Sequence, residues 1–253
     1  MEALYAVDAQ FYDAVHGAGG EDLEFWLPFA ADLGGPILEI GAGTGRIAFA
    51  LARAGYAITG IDPSPSMLRI ARERAADEGL EATFMEARLP GAELPAAAFA
   101  AVILSNDVFL YCADAAEQRA TLRAVCAALA PGGRVAIDVP GPANWLDPAE
   151  AGQPILAFSG EFEGEPLVVW HRREDDLAEQ TRALRVVYET TGADGVRASV
   201  CSRHRLRYVT RFELDLLFEA AGLRSLSVYG DYALGPLTNA SERLIVVAER
   251  APQ

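Results

Sequence analysis

Apolar positions along this chain keep two different periods, and the change between them maps the fold. Leu4, Val7, Phe11 and Val15 recur at helical spacing, and residues 21–33 repeat the pattern with Phe25, Trp26 and Phe29. Gly17-Ala-Gly-Gly20 separates the two stretches. Residues 37–40 then form a short apolar run bounded by Gly-Pro, which predicts a buried strand. Ile47 and Leu51, among alanines, predict a helix from Arg46 that is capped by Gly55. A strand at 57–61 follows, then a helix opened by Pro63-Ser-Pro-Ser that runs to about Asp77. Strands at 82–85, 99–104 and 134–139 come next, with a helix over 117–130 that Pro131-Gly-Gly133 stops. Strands alternating with helices predict a parallel sheet.

Between 141 and 208 the period shortens to two. Prolines 142, 148, 154 and 166 interrupt this stretch, and β-rich runs at 155–162, 167–171, 184–190 and 196–208 fill it. Glu163-Gly164 and Ala193-Asp-Gly195 are turn signals between some of them. The pattern predicts an antiparallel sheet inserted into the alternating layout. A helix at 211–221, closed by Gly222, resumes that layout, and strands at 223–228 and 243–248 predict an antiparallel pair at the sheet edge.

The first strand leads into Gly41-Ala-Gly-Thr-Gly45, a turn in which no Cβ blocks the approach of a ligand. Asp62 ends the second strand, where a carboxylate can accept hydrogen bonds from both hydroxyls of a ribose. A dinucleotide-binding loop places its third glycine three residues after the second, and here that position is Arg46. The third glycine instead follows after two residues. With Glu39 before it and Asp62 after it, this Gly-x-Gly-x-Gly stretch resembles the first two motifs of class I S-adenosylmethionine-dependent methyltransferases. The resemblance is nearly continuous over residues 36–139.

The resemblance implies an α/β fold: a Rossmann-like, doubly wound sheet with an antiparallel edge strand, an N-terminal helical cap and an inserted antiparallel β-sheet. It divides the chain into a cap at 1–33, a core at 34–140 and 209–253, and a lid at 141–208. The cofactor it implies is S-adenosyl-L-methionine. Glu39, Gly41, Ala42, Gly43, Gly45 and Asp62 would hold it from the first two motifs. Pro63 and Met67 are candidates beside the adenine, with core packing an equal alternative for Met67. Glu86 would accept from the adenine amine and the backbone of Ala87 would reach the ring; a solvated loop acid is the alternative for Glu86. Ser105 and Asn106 would meet the methionine end. Tyr5 and Tyr12 would touch cofactor or acceptor, or merely pack.

Methyl transfer from a sulfonium needs alignment and exclusion of water more than covalent help. Asp107 and His16 are the candidates to orient the acceptor or take its proton, with helix capping the alternative for Asp107. Phe109 and Tyr111 would wall the acceptor pocket, and Tyr229, Asp231 and Tyr232 follow the sixth strand at its tip. On the strand around Cys201 to Tyr208, Arg203, Arg205 and Arg207 share one face and His204, Leu206 and Tyr208 the other. The arginines are either a solvated face or a grip on an anionic acceptor.

The net charge of −15 argues against a nucleic-acid substrate. All 21 basic residues are arginine, so no lysine is available for Schiff-base chemistry. No apolar run is long enough to span a membrane. Three scattered cysteines fit reduced thiols in the cytoplasm, and no pair of the three histidines has metal-ligand spacing, so no metal is expected. The expected protein is a cytoplasmic monomer or homodimer that methylates a small molecule, anionic if the arginine face grips it, on oxygen, nitrogen or carbon, in the manner of antibiotic-pathway enzymes. A non-catalytic cofactor-binding protein is the alternative, and a nicotinamide oxidoreductase requires Arg46 to be tolerated at a glycine position.

Overall fold

The computed structural model describes residues 5–17, 20–145 and 152–252. Leu4 of the first helical pattern and Pro148 of the inserted stretch lie outside the described residues. Two helices lead the chain, α1 (Asp8–His16) and α2 (Leu23–Leu33). The alternating part follows: β1 (Ile37–Ile40), α3 (Arg46–Arg53), β2 (Ile58–Asp62), α4 (Pro65–Glu78), β3 (Ala82–Glu86), β4 (Phe99–Leu104), a 3-10 turn (Val108–Tyr111), α5 (Ala115–Ala128) and β5 (Leu129–Pro140). A short α6 (Pro142–Trp145) precedes four long strands, β6 (Pro154–Phe162), β7 (Glu165–Asp176), β8 (Thr181–Thr191) and β9 (Arg197–Arg207). The chain closes with α7 (Arg211–Ala221), β10 (Leu223–Tyr229) and β11 (Arg243–Arg250).

Seven strands form one sheet in the order β10-β11-β5-β4-β1-β2-β3. β5, β4, β1, β2 and β3 are parallel, and β11 runs antiparallel to both β5 and β10. Short apolar strands such as Ile37–Ile40, buried at every position, need cover on both faces. One face packs on α5 and α7 through Leu122, Val125, Leu214 and Phe218. The other packs on α2, α3 and α4 through Trp26, Phe49 and Leu68. Ser64 caps α4 by accepting from the Met67 N–H. The Pro131-Gly-Gly stop is displaced: α5 ends at Ala128 and these residues belong to β5. The ladder to β4 jumps from Phe99–Leu129 to Ala101–Arg134, so residues 130–133 form a bulge, where Pro131 has no N–H to leave unpaired.

β6, β7, β8 and β9 make a separate antiparallel sheet in that order. Its inward side chains Leu167, Val169, Val186 and Tyr188 are buried, and α1 docks on them through Phe11. The Phe11 ring stacks on Tyr188 at 4.6 Å and meets Phe162 edge-on at 4.9 Å. No helix among the described residues is long and apolar enough to cross a membrane.

Candidate active site

The glycine turn takes its shape from positive backbone angles. Gly41 and Gly43 sit at φ +75° and +55°, and a Cβ on Gly41 would strike Val108 at 2.3 Å. Gly41 and Ala42 donate their N–H groups to the Ile61 carbonyl at 2.7 and 3.0 Å. The Gly43 N–H reaches one Asp62 oxygen at 3.0 Å, and the Ser64 N–H reaches the other at 2.8 Å. Asp62 therefore ties the turn to the tip of β2 while keeping lone pairs for a ligand. Burial raises its pKa, against the two backbone N–H groups. Glu39 is 2% exposed, and burial pushes its carboxyl up to about 8 despite the nearby Arg46. One Glu39 oxygen, Oε2, has no partner.

These groups open into a cavity of about 360 Å³. Glu39, Gly41, Asp62 and Ser105 line one end, while Asp8, His171, Tyr188 and His204 line the other. An adjoining cavity of about 350 Å³ shares Asp62 and Tyr111 with it and runs past Pro63, Ala87, Leu89 and Phe109. At the tip of β4, Asn106 and Asp107 take left-handed angles of +49° and +69°. What holds them is Asp138, which is fully buried. It accepts from the Asn106 N–H at 3.1 Å, the Tyr232 hydroxyl at 2.9 Å and Arg243 Nε at 2.7 Å. Arg243 Nη2 donates onward to Asp107 at 2.8 Å. Burial raises the Asp107 carboxyl even beside that guanidinium. No group of three metal-binding side chains occurs among the described residues.

Residues 37–133 match the family described as "Methyltransferase domain". Over 242 residues, 94% of each chain, the sequence is 27% identical to the cypemycin N-terminal methyltransferase of a Streptomyces species. The CcbJ methyltransferase of Streptomyces caelestis superposes over 100% of both chains at 25% identity and a TM-score of 0.81. An S-adenosylmethionine-dependent methyltransferase of Clostridium acetobutylicum shares the fold at 14% identity, with a TM-score of 0.82 over 98% of this chain and 99% of its own. Residues 37–133 thus form a methyltransferase domain, and the chain is an S-adenosylmethionine-dependent methyltransferase.

In this methyltransferase the first cavity gathers Ala42, Gly43 and Met67 with Asn106 and Asp107. Tyr5, Tyr12, His16 and Tyr111 also line it. Asn106 Nδ2 donates to the Tyr12 hydroxyl at 3.3 Å, and the His16 ring lies 4.4 Å from the Tyr12 ring. Other candidates stand differently. Gly45 lines neither cavity; at φ +86° it starts α3 with the Phe49 ring against its Cα. Glu86 is exposed and lines neither, because β3 is the edge strand beyond Asp62. The Ala87 N–H already donates to the Asp62 carbonyl at 3.1 Å, so only its side chain faces a cavity. The Asp107 carboxylate caps no helix, because Arg243 holds it.

The arginine face of β9 points away from the first cavity. Arg203 is exposed on the outer side, and Arg207 pairs with Glu213 at 2.7 Å. Arg205 borders the adjoining cavity and donates to the Ala113 carbonyl at 3.4 Å. His204 and Leu206, on the opposite face, are the β9 residues inside, since that apolar face is the one on which the rest of the molecule packs. Tyr229 packs against Phe25 at 6.1 Å, Asp231 accepts from the Gly235 N–H at 2.7 Å and Tyr232 supports Asp138; none lines the first cavity. No local pattern in the sequence marks Asp8, Asp138, Tyr188 or Ser202; the alternation of β9 separates two faces without saying which is covered.

Proposed function

We propose that this methyltransferase moves a methyl group from S-adenosylmethionine to the amine nitrogen of a small molecule of the natural-product kind. The residues present fit the cofactor. Asp62 has free lone pairs for ribose hydroxyls, the unpartnered Glu39 Oε2 suits the ammonium of a methionine end, and the turn at Gly43 leaves open space beside the backbone. Pro63, Ala87 and Phe109 offer an apolar slot for a base. The bound cofactor supplies an electrophilic methyl on sulfur; the protein must place a nitrogen lone pair in line with it.

The observation that carries the amine reading is the charge at the far end of the first cavity. Asp8 faces it among the tyrosine and histidine rings, while the lining arginine, Arg46, is held bidentately by Asp22 at 2.6 and 2.8 Å and Asp107 is held by Arg243 at 2.8 Å. Carboxylates and aromatic faces attract a cation and repel an anion. Of the three β9 arginines only Arg205 borders either of these two cavities, the adjoining one, so they add no cation to the first. The N-terminal amine implied by the name of the cypemycin relative is consistent with this reading.

Calorimetry with S-adenosylhomocysteine and turnover with amines test it together. Asp62→Ala should cost about 1.5–3 kcal/mol of cofactor affinity for each charged hydrogen bond lost. Unchanged affinity in a folded variant would undo the cofactor assignment. Methylation confined to hydroxyl or carboxylate acceptors would undo the amine.

A further inference from the structure

Four side chains from three elements converge at the acceptor end of the first cavity. Asp8 Oδ1 accepts from the Tyr188 hydroxyl at 2.7 Å and the Ser202 hydroxyl at 2.6 Å. Ser202 Oγ lies 3.0 Å from His204 Nε2, and that nitrogen is 3.4 Å from Asp8 Oδ1. The directions fix the tautomer. The only proton on Ser202 Oγ goes to Asp8, so the oxygen can only accept from His204, and Nε2 must carry the hydrogen. His204 Nδ1 is then a bare lone pair. It has no partner, and neither has Asp8 Oδ2. His204 is 6% exposed and Asp8 4%, so both atoms are out of water's reach. Buried lone pairs without a donor are costly and rare in folded proteins, which marks them as places for a ligand's N–H.

We propose that His204, held by Asp8 and Ser202, is the proton acceptor for the amine nucleophile. This rests on the amine reading above. The acceptor enters as an ammonium and gives one N–H proton to His204 Nδ1, and the electron pair of that bond stays on nitrogen. The lone pair then forms the N–C bond to the methyl carbon as the C–S bond breaks, its pair remaining on sulfur. The products are a methylated ammonium and a neutral thioether, and His204 returns its proton to solvent. An ionised Asp8 stabilises the imidazolium in between. Burial alone would raise the Asp8 carboxyl, but hydrogen bonds from His204, Ser202 and Tyr188 outweigh it and hold it below its ordinary value. The rings of Tyr5 and Tyr111 pack at 5.2 and 5.9 Å from the imidazole, and an acceptor gains Nδ1 by displacing one of them. His171 on β7 also bears on this site. Beyond the sheet Glu174 sits among Arg172, Arg185 and Arg203.

Two measurements test the assignment, with D-glucosamine and alanylalanine amide as probe amines. Histidine side-chain NMR on the wild-type protein should find His204 as the Nε2–H tautomer, with a signal that moves when either amine is added. An Nδ1–H tautomer overturns the proposal without any variant. His204→Gln should lower kcat/KM by about 10²–10⁴-fold near neutral pH. The loss should shrink as pH approaches the amine's own pKa, where free amine forms unaided, and S-adenosylhomocysteine affinity should not change. Asp8→Asn should act in the same direction. A loss equal at every pH is a structural effect and sinks the proposal while the amine reading stands. If the wild-type protein binds S-adenosylhomocysteine but methylates neither amine, the amine reading falls first and this one with it.

Discussion

The parallel core and the four-stranded antiparallel sheet are both β-rich, yet they commit their residues to the cavity in opposite ways. In the core, β1, β2 and β4 are buried on both faces, so the ligand side lies at the strand ends. Those ends carry Gly41, Asp62 and Ser105, and all three line the cavity. In the antiparallel sheet every strand offers two faces, and the strand ends are solvent-facing turns. Its contribution comes from mid-strand side chains, Val169, Val186 and His204, on whichever face is covered. A site built on strand ends is set by local chain geometry. One built on a sheet face is set by docking.

The strongest way to break this division is at the docking contact. Phe11→Ala removes the ring between α1 and the antiparallel sheet, and should cost about 3–5 kcal/mol in urea unfolding. Acceptor turnover should fall with it, because Asp8 on the same helix loses its register with Ser202 and His204. Affinity for S-adenosylhomocysteine should stay near wild type. If cofactor affinity collapses in parallel, the two regions are not separable.

A smaller effect belongs to the core. The fold favours the protonated Glu39 carboxyl, whose pKa rises from 4.5 to about 8. Its contribution to stability is therefore complete below pH 4.5 and is lost as pH rises through about 8. Glu39→Gln should stabilise the cofactor-free protein by roughly 3 kcal/mol at pH 7 and hardly at all at pH 4. Denaturant midpoints at the two pH values check this; an equal gain at both would show that charge is not the cause.

The smallest expected effect sharpens the comparison from the outer face. Arg203→Ala should leave stability within about 0.5 kcal/mol and acceptor KM unchanged. A raised KM would return the arginine face to the acceptor.

The core was legible because its signals are local. Ile37–Ile40, the glycines at 41 and 43 and the acid at 62 fall within one βαβ unit, whose geometry places them together without help from the rest of the chain. At the edge the sequence could not show that Glu86 is exposed, which depends on β3 having no further neighbour, nor that the Ala87 N–H is donated to the Asp62 carbonyl while its side chain faces the adjoining cavity. Gly45 shows the same limit in another form: its φ of +86° and the Phe49 ring against it already require a glycine, which the sequence motif could not reveal.

By itself the sequence determined the strand–helix alternation, the glycine turn, the carboxylate at its partner strand and the two-faced alternation of β9. Each depends on residues close together along the chain, where backbone periodicity and turn sterics act directly. Only the tertiary structure decided which face of β9 is inside, that Asp8 meets Ser202 from 194 residues away, and that Asp138 and Arg243 hold Asp107. Those contacts join elements far apart in sequence. A strand's period names two faces but does not say which one a distant helix will cover.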